Sequence, residues 1–154
     1  MADLQYSGSI AIARSPEVLY DMVSDVTRMG EWSPVCTRCW WDEGESLRVG
    51  AWFTGRNETP DRTWDTRSQV VAADRGRHFA FVVGGTWTRW SYAFTPSDGG
   101  TVVTESWEFL PGGYARFEER FGDDAPAQIA DREAAAHKGI PETLAALKRV
   151  AESP

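Results

Sequence analysis

One long helical pattern closes this chain, and the rest must fold around it. From about Ala127 to Ala151, small or apolar residues recur three and four apart at Ala130, Ala134, His137, Ile140, Leu144, Leu147 and Ala151. Asp131, Arg132, Glu142, Lys148 and Arg149 take the other side. That spacing predicts an amphipathic helix with one buried face. Asp123 and Asp124 mark its start, and Pro126 falls in the first turn, where a missing N–H costs little and negative charge suits the helix dipole. Gly139 and Pro141 interrupt the pattern. Pro141 cannot donate to the carbonyl of His137, so a kink is expected there. At about 1.5 Å per residue a helix of roughly 25 residues is about 37 Å long, enough to lie across a whole antiparallel sheet.

Upstream of that helix, strand-like segments dominate. Tyr6 to Ala13 alternates as a first strand. Ser15-Pro16-Glu17 opens a helix with Ser15 as N-cap and Pro16 at the first position, burying Val18, Leu19, Met22 and Val23. Asp25 caps a second short helix that ends at Gly30. Val35 to Asp42 predicts another strand. Ala51 to Arg56, Thr63 to Ala73, Arg77 to Val83, Thr86 to Thr95 and Thr101 to Leu110 follow, rich in aromatic and β-branched residues. Short turn-forming connections, such as Asn57 to Asp61 and Pro96 to Gly100, make neighbouring strands antiparallel. Tyr114 to Phe121 reads as a short helix or a compact loop. With no repeat, low-complexity tract or linker, residues 1–154 read as one domain.

Composition narrows the partners. With 42% hydrophobic and 25% charged residues, the chain can bury a core without disulfide or metal staples. A net charge of −7 argues against nucleic acid and against an anionic membrane surface. No apolar run approaches the roughly 18 residues of a membrane span, so no integral membrane association is expected. MADLQYSGSI has no basic region followed by an apolar run, which makes the expected location cytoplasmic. G-x-S-x-G, Walker, dinucleotide and H-E-x-x-H motifs are all missing from the sequence. No metal or cofactor is expected.

The order of elements, carried by IAIARSPEVLYDMVSDVTRMGEWSP, VGAWFTGRNE, WDTRSQVVAADRGRHFAF, TWTRWSYAFTP, GTVVTESWEF and IPETLAALKRVAE, resembles the START/Bet v 1 superfamily. More narrowly it resembles the bacterial SRPBCC polyketide cyclase/dehydrase-type proteins. The resemblance implies an α+β helix-grip fold: a curved antiparallel sheet wraps the C-terminal helix, two short helices follow the first strand, and a deep apolar cavity lies within. It implies binding of a hydrophobic, ring-containing small molecule, lipid or polyketide-like. An enzyme of the polyketide cyclase, aromatase or dehydratase kind and a co-chaperone-like interaction module are the alternatives, and a homodimer stays open. Such a fold does not by itself fix function.

Alternation identifies the candidate residues. Thr88, Trp90, Tyr92 and Phe94 share one strand face; Val103, Glu105, Trp107 and Phe109 share another. Phe79, Phe81 and Val83 form a third set, and Phe53, Gly55 and Asn57 a fourth. Among eight tryptophans any single ring can be plain core, but the set against an alanine-rich helix suggests space for a ligand. The candidate ligand-binding residues are Phe53, Asn57, Phe81, Trp90, Tyr92, Trp107, Phe109, His137, Ile140 and Leu144. His137 reads either as a hydrogen-bonded core histidine or as a ligand contact and catalytic candidate; His78, at a strand start, reads as exposed. Glu105 is the candidate general acid/base, because apolar neighbours raise a carboxyl pKa. The ordinary arrangement is instead an arginine partner, or a shifted register that turns Glu108 inward. Cys36 and Cys39 form a C-x-x-C, but residues three apart on a strand face opposite sides. One metal could not easily bind both, and they are expected to be free thiols.

Overall fold

The computed structural model describes residues 4–154. Strand β1 (Leu4–Ile12) leads into helix α1 (Pro16–Ser24) and a 3-10 turn (Val26–Glu31). Then come β2 (Cys36–Trp41), β3 (Trp52–Thr59), β4 (Arg62–Asp74), β5 (His78–Val83), β6 (Thr88–Ser97) and β7 (Gly100–Phe109). Helix α2 (Pro111–Phe121), a second 3-10 turn (Gly122–Asp124) and helix α3 (Ala125–Glu152) complete the chain. The strands form one antiparallel sheet in the order β1-β7-β6-β5-β4-β3-β2. Consecutive hairpins account for β2 to β7, and β1 closes against β7, the last strand made. The sheet curves around α3, which packs chiefly on β1, then on α2 and β7. This is the helix-grip architecture.

Local chemistry sets the element ends. Ser15 Oγ accepts from the Val18 amide at 3.2 Å, and Pro16 occupies the first turn of α1, where no donor is needed. Asp25 Oδ1 accepts from the Thr27 amide at 3.2 Å and starts the 3-10 turn, which ends one residue beyond the expected Gly30. The β3–β4 ladder runs on to the Thr59–Arg62 pair, so the connection expected over Asn57 to Asp61 contracts to Pro60-Asp61. Pro60, which has no N–H to give, sits outside the ladder at that tip.

The phase of α3 differs from the sequence expectation. Its buried residues are Ala125, Ile129, Ala136, Ile140, Thr143, Leu144, Leu147 and Ala151, whereas Ala130, Ala134 and His137 are exposed. At about 100° per residue His137 stands roughly 60° from Ile140, just outside the arc that the sheet covers. Alanine gives a periodicity argument little to discriminate with, and the buried face of the first half runs about one residue out of phase with the expected stripe. Each fully buried Ile or Leu on the true face contributes about 1.5–3 kcal/mol. On α1, Val18 is exposed rather than buried, and Tyr20 takes its place in the core. Helix α3 continues unbroken through Gly139 and Pro141. Both Pro141 and His137 are exposed, so the carbonyl without a donor sits on the solvated side.

A bulge in β2 overturns the expected geometry of the two cysteines. Cys36 pairs with Asn57, Arg38 with Arg56 and Cys39 with Gly55, so an extra residue falls between Cys36 and Arg38. The inserted residue restores both thiols to one face.

Candidate functional site

The concave face is organised as transverse rows of cross-strand neighbours. Gly8, Glu105, Tyr92 and Phe79 form one row across β1, β7, β6 and β5. Tyr6, Trp107, Trp90 and Phe81 form the next. Register places these side chains on one side because alternate residues face alike. Phe79, Phe81, Tyr92, Glu105, Trp107 and Phe109 are buried, and Trp90 is half-buried. Helix α3 lies close above the first row: a Cβ at Gly8 would stand 3.0 Å from Ile140 Cγ2. Glycine there lets Ile140 and Leu144 approach the sheet beside Glu105, the cross-strand partner of Gly8.

Glu105 is the chemical centre of this face. It is 3% exposed, and the Tyr92 hydroxyl donates to its Oε2 at 2.9 Å. Among the described residues its Oε1 is the buried side-chain polar atom left without a hydrogen-bond partner. Neither expected alternative holds: among the described residues Glu105 has no salt bridge, and Glu108 does not replace it in the core. Burial pushes the Glu105 carboxyl up to about 8, while the Tyr92 hydrogen bond pulls partly the other way. Burial, then the Glu105 charge, raises Tyr92 well above its ordinary value, so the phenol keeps its proton and donates. A neutral carboxylic acid near pH 7 can offer its remaining oxygen to a ligand as donor or acceptor.

The other expected site residues divide clearly. Phe53 packs edge-on to Phe81 at 5.1 Å between ring centroids, and Trp107 lies 6.1 Å from Phe109. Phe53, Ile140 and Leu144 are buried on the same interior. Asn57 is half-buried with its amide committed to Thr66 Oγ1 at 3.2 Å and the Trp64 carbonyl at 3.3 Å. His137 stacks on Tyr6 with ring centroids 4.0 Å apart, at the exposed rim over edge strand β1 and away from Glu105's row. His78 is half-buried rather than exposed, and burial lowers its pKa. Alternation identifies Tyr92 only as a candidate ligand-binding residue. Its role as the partner of Glu105 needs the β6–β7 register, which no local pattern supplies.

The interior differs from the expected deep cavity. One open cleft of about 470 Å³ lies between Trp32–Pro34 and the Glu142–Arg149 stretch of α3; another of about 540 Å³ lies around Ala13–Val18 and Gly99-Gly100. Neither is lined by a candidate ligand-binding residue. On the concave face, Phe53, Phe79, Phe81, Trp107 and Phe109 make close ring contacts with one another.

The second cluster is sulfur. Cys36 and Cys39 are free and buried, with Sγ atoms 3.2 Å apart. The hydrogen bond from Cys39 lowers the Cys36 pKa, while that pairing and burial hold the remaining proton on Cys39. The expectation that these thiols face apart is corrected by the β2 bulge.

A curved sheet gripping a C-terminal helix, with a carboxyl–phenol pair among aromatic rings, defines a START/Bet v 1-like helix-grip protein. The chain belongs to the family described as polyketide cyclase / dehydrase and lipid transport, which matches residues 3–152. It is similar to the solution structure of a polyketide-cyclase-like protein from Corynebacterium glutamicum, at 50% identity and a TM-score of 0.71, covering 97% of this chain and 91% of that one. The di-domain ARO/CYC protein StfQ of the steffimycin biosynthetic pathway shares the fold, at 16% identity and a TM-score of 0.72, covering 97% of this chain and 51% of StfQ. A protein from Nitrosomonas europaea does so at 14% identity and a TM-score of 0.69, covering 96% and 93%. Among curated proteins none matches the chain. No helix of the described residues is long and apolar enough to cross a membrane.

Proposed function

We propose that the concave face binds a hydrophobic, ring-containing small molecule of lipid or polyketide kind, with Glu105 as its buried polar contact. The observation that carries this reading is Glu105 Oε1, buried and unpartnered while Tyr92 holds Oε2. A buried polar atom without a partner costs about 1–3 kcal/mol, which a ligand hydroxyl or carbonyl would recover. Phe53, Phe81, Trp90, Trp107 and Phe109, with Ile140 and Leu144, supply an apolar wall of the kind small-molecule sites use. The clefts described above lie elsewhere, so on this reading a ligand displaces rings instead of filling a standing void. Family membership and the likeness to StfQ support a polyketide-like ligand.

Native mass spectrometry of freshly purified protein, followed by extraction of the bound molecule, tests this proposal. An apolar, oxygen-bearing molecule bound one per chain is expected, and the same spectrum reads whether the chain is a homodimer. A ligand whose affinity is unchanged when Tyr92, Trp107 and Phe109 are each replaced by Ala in folded variants would remove the concave face from the reading.

A second reading, proton transfer in a cyclase, aromatase or dehydratase reaction, is favoured by one observation: a carboxyl held near 8 with one oxygen free. Under it Glu105→Gln abolishes turnover while binding stays nearly intact. Wild-type turnover by that variant would leave Glu105 a binding residue and return the protein to a carrier role.

A further inference from the structure

The β2 bulge builds a compact group of three sulfur atoms. Cys36 and Cys39 face Asn57 and Gly55, two residues apart on β3, so both thiols point the same way. Their sulfurs lie 3.2 Å apart, and Cys39 Sγ lies 3.8 Å from the Met29 thioether on the 3-10 turn. Cys36 and Cys39 are 6% and 4% exposed, whereas Met29 is half-buried. Gly55 makes the room: a Cβ there would stand 3.1 Å from Cys39 Sγ and 3.4 Å from Cys36 Sγ.

A buried dithiol can close to a disulfide or chelate a cation, and geometry separates the two. Two residues along the facing strand set the Cα atoms about 6.6 Å apart. That is near the upper end of what a disulfide spans, so closure would strain the ladder. An ion bonded to sulfur at about 2.3 Å with near-trigonal angles needs sulfurs about 4 Å apart. The observed 3.2 Å separation would have to open by about 0.8 Å to reach that spacing. The donors then select the ion. Two thiolates and a thioether are soft ligands that favour monovalent copper over magnesium, calcium or manganese. Structural zinc takes four ligands, and among the described residues no three of His, Cys, Asp or Glu converge to help complete such a set.

We propose that Cys36, Cys39 and Met29 form a three-sulfur binding site for a soft monovalent cation, Cu(I). The ion binds as Cu(I) and no electron changes hands. Each thiol that ligates it loses its proton to solvent, and Met29 adds a neutral third donor. The sulfur donors are distinct from the Tyr92–Glu105 pair, although Cys36 lies within electrostatic reach of Tyr92.

The test is an anaerobic titration of the reduced full chain against the Cu(I)–bathocuproine disulfonate complex, followed by loss of the chelate's visible absorbance. One equivalent is expected to move to the wild-type protein. Cys36→Ser should weaken binding by more than the roughly 100-fold that loss of an outer-shell partner can cost, and Met29→Leu by about tenfold. Met29→Leu nearly conserves volume, so it keeps the comparison valid should the serine variant misfold by circular dichroism. X-ray absorption of the copper-loaded protein should show three sulfur neighbours. Copper retained by the chelator, unchanged affinity in a folded Cys36→Ser or in Met29→Leu, nitrogen or oxygen neighbours at the metal, or tighter uptake of Zn(II) than of Cu(I) would each overturn the assignment.

Discussion

Replacing Glu105 with Gln should stabilise this protein in alkaline solution and leave it nearly unchanged in acid. The side chain is 3% exposed, and burial raises its pKa from 4.5 to about 8. Between those values the folded chain holds a proton that the unfolded chain has released. Stability therefore falls as pH rises, by about 1.4 kcal/mol per pH unit. The contribution of the neutral carboxyl is fully present below pH 4.5 and lost as pH passes about 8. Across the whole interval the loss is about 5 kcal/mol, an upper figure because water penetration and relaxation soften it. Gln has the shape of the neutral acid, keeps an acceptor for the Tyr92 hydroxyl and never ionises. Urea unfolding of both proteins from below pH 4.5 to above pH 8, compared as a difference, cancels every other titrating group. The expected difference is close to zero in acid and grows in favour of Gln until it levels off. A difference independent of pH, or one in which the variant loses ground as pH rises, would refute the buried, unpaired carboxyl.

Pro141→Ala restores a donor for the His137 carbonyl and should stabilise α3 by up to about 3 kcal/mol, read as a higher Tm. It should also shift affinity for an identified ligand, and unaltered binding would leave Pro141 without a role on the concave face. Gly55→Ala pushes a methyl against both thiols and should destabilise by about 1–3 kcal/mol, measured by denaturant unfolding. Ser15→Ala removes the acceptor for the Val18 amide and should cost about 1 kcal/mol in the same assay.

Which features were legible in the sequence follows from how far apart the deciding residues lie. Ser15-Pro16, Pro126 and the turn-forming connections act on their neighbours in the chain, so element order and antiparallel pairing could be read directly. Alternation within β7 likewise put Glu105 with Val103, Trp107 and Phe109, because a strand has only two faces. Within one strand, however, nothing says what stands opposite. Tyr92 meets Glu105, and Gly8 opens space beside it, only through the registers of β6 and β1 on β7.

His137 shows a subtler limit. A helix offers a continuous choice of phase, and a run of alanines leaves it nearly free, so packing on β1 and β7 put Ile129 and Ala136 inward and left His137 on the rim beside Tyr6. The cysteines show the sharpest one. Regular strand geometry sends Cys36 and Cys39 to opposite sides, and one inserted residue reverses that conclusion. The sequence alone determined the order of elements, the antiparallel pairing and the aromatic character of the inner face, because these depend on short-range propensity and alternation. Tertiary structure decided the company kept by Glu105, His137 and the two thiols, because register, helix phase and a bulge are settled by contacts between distant segments.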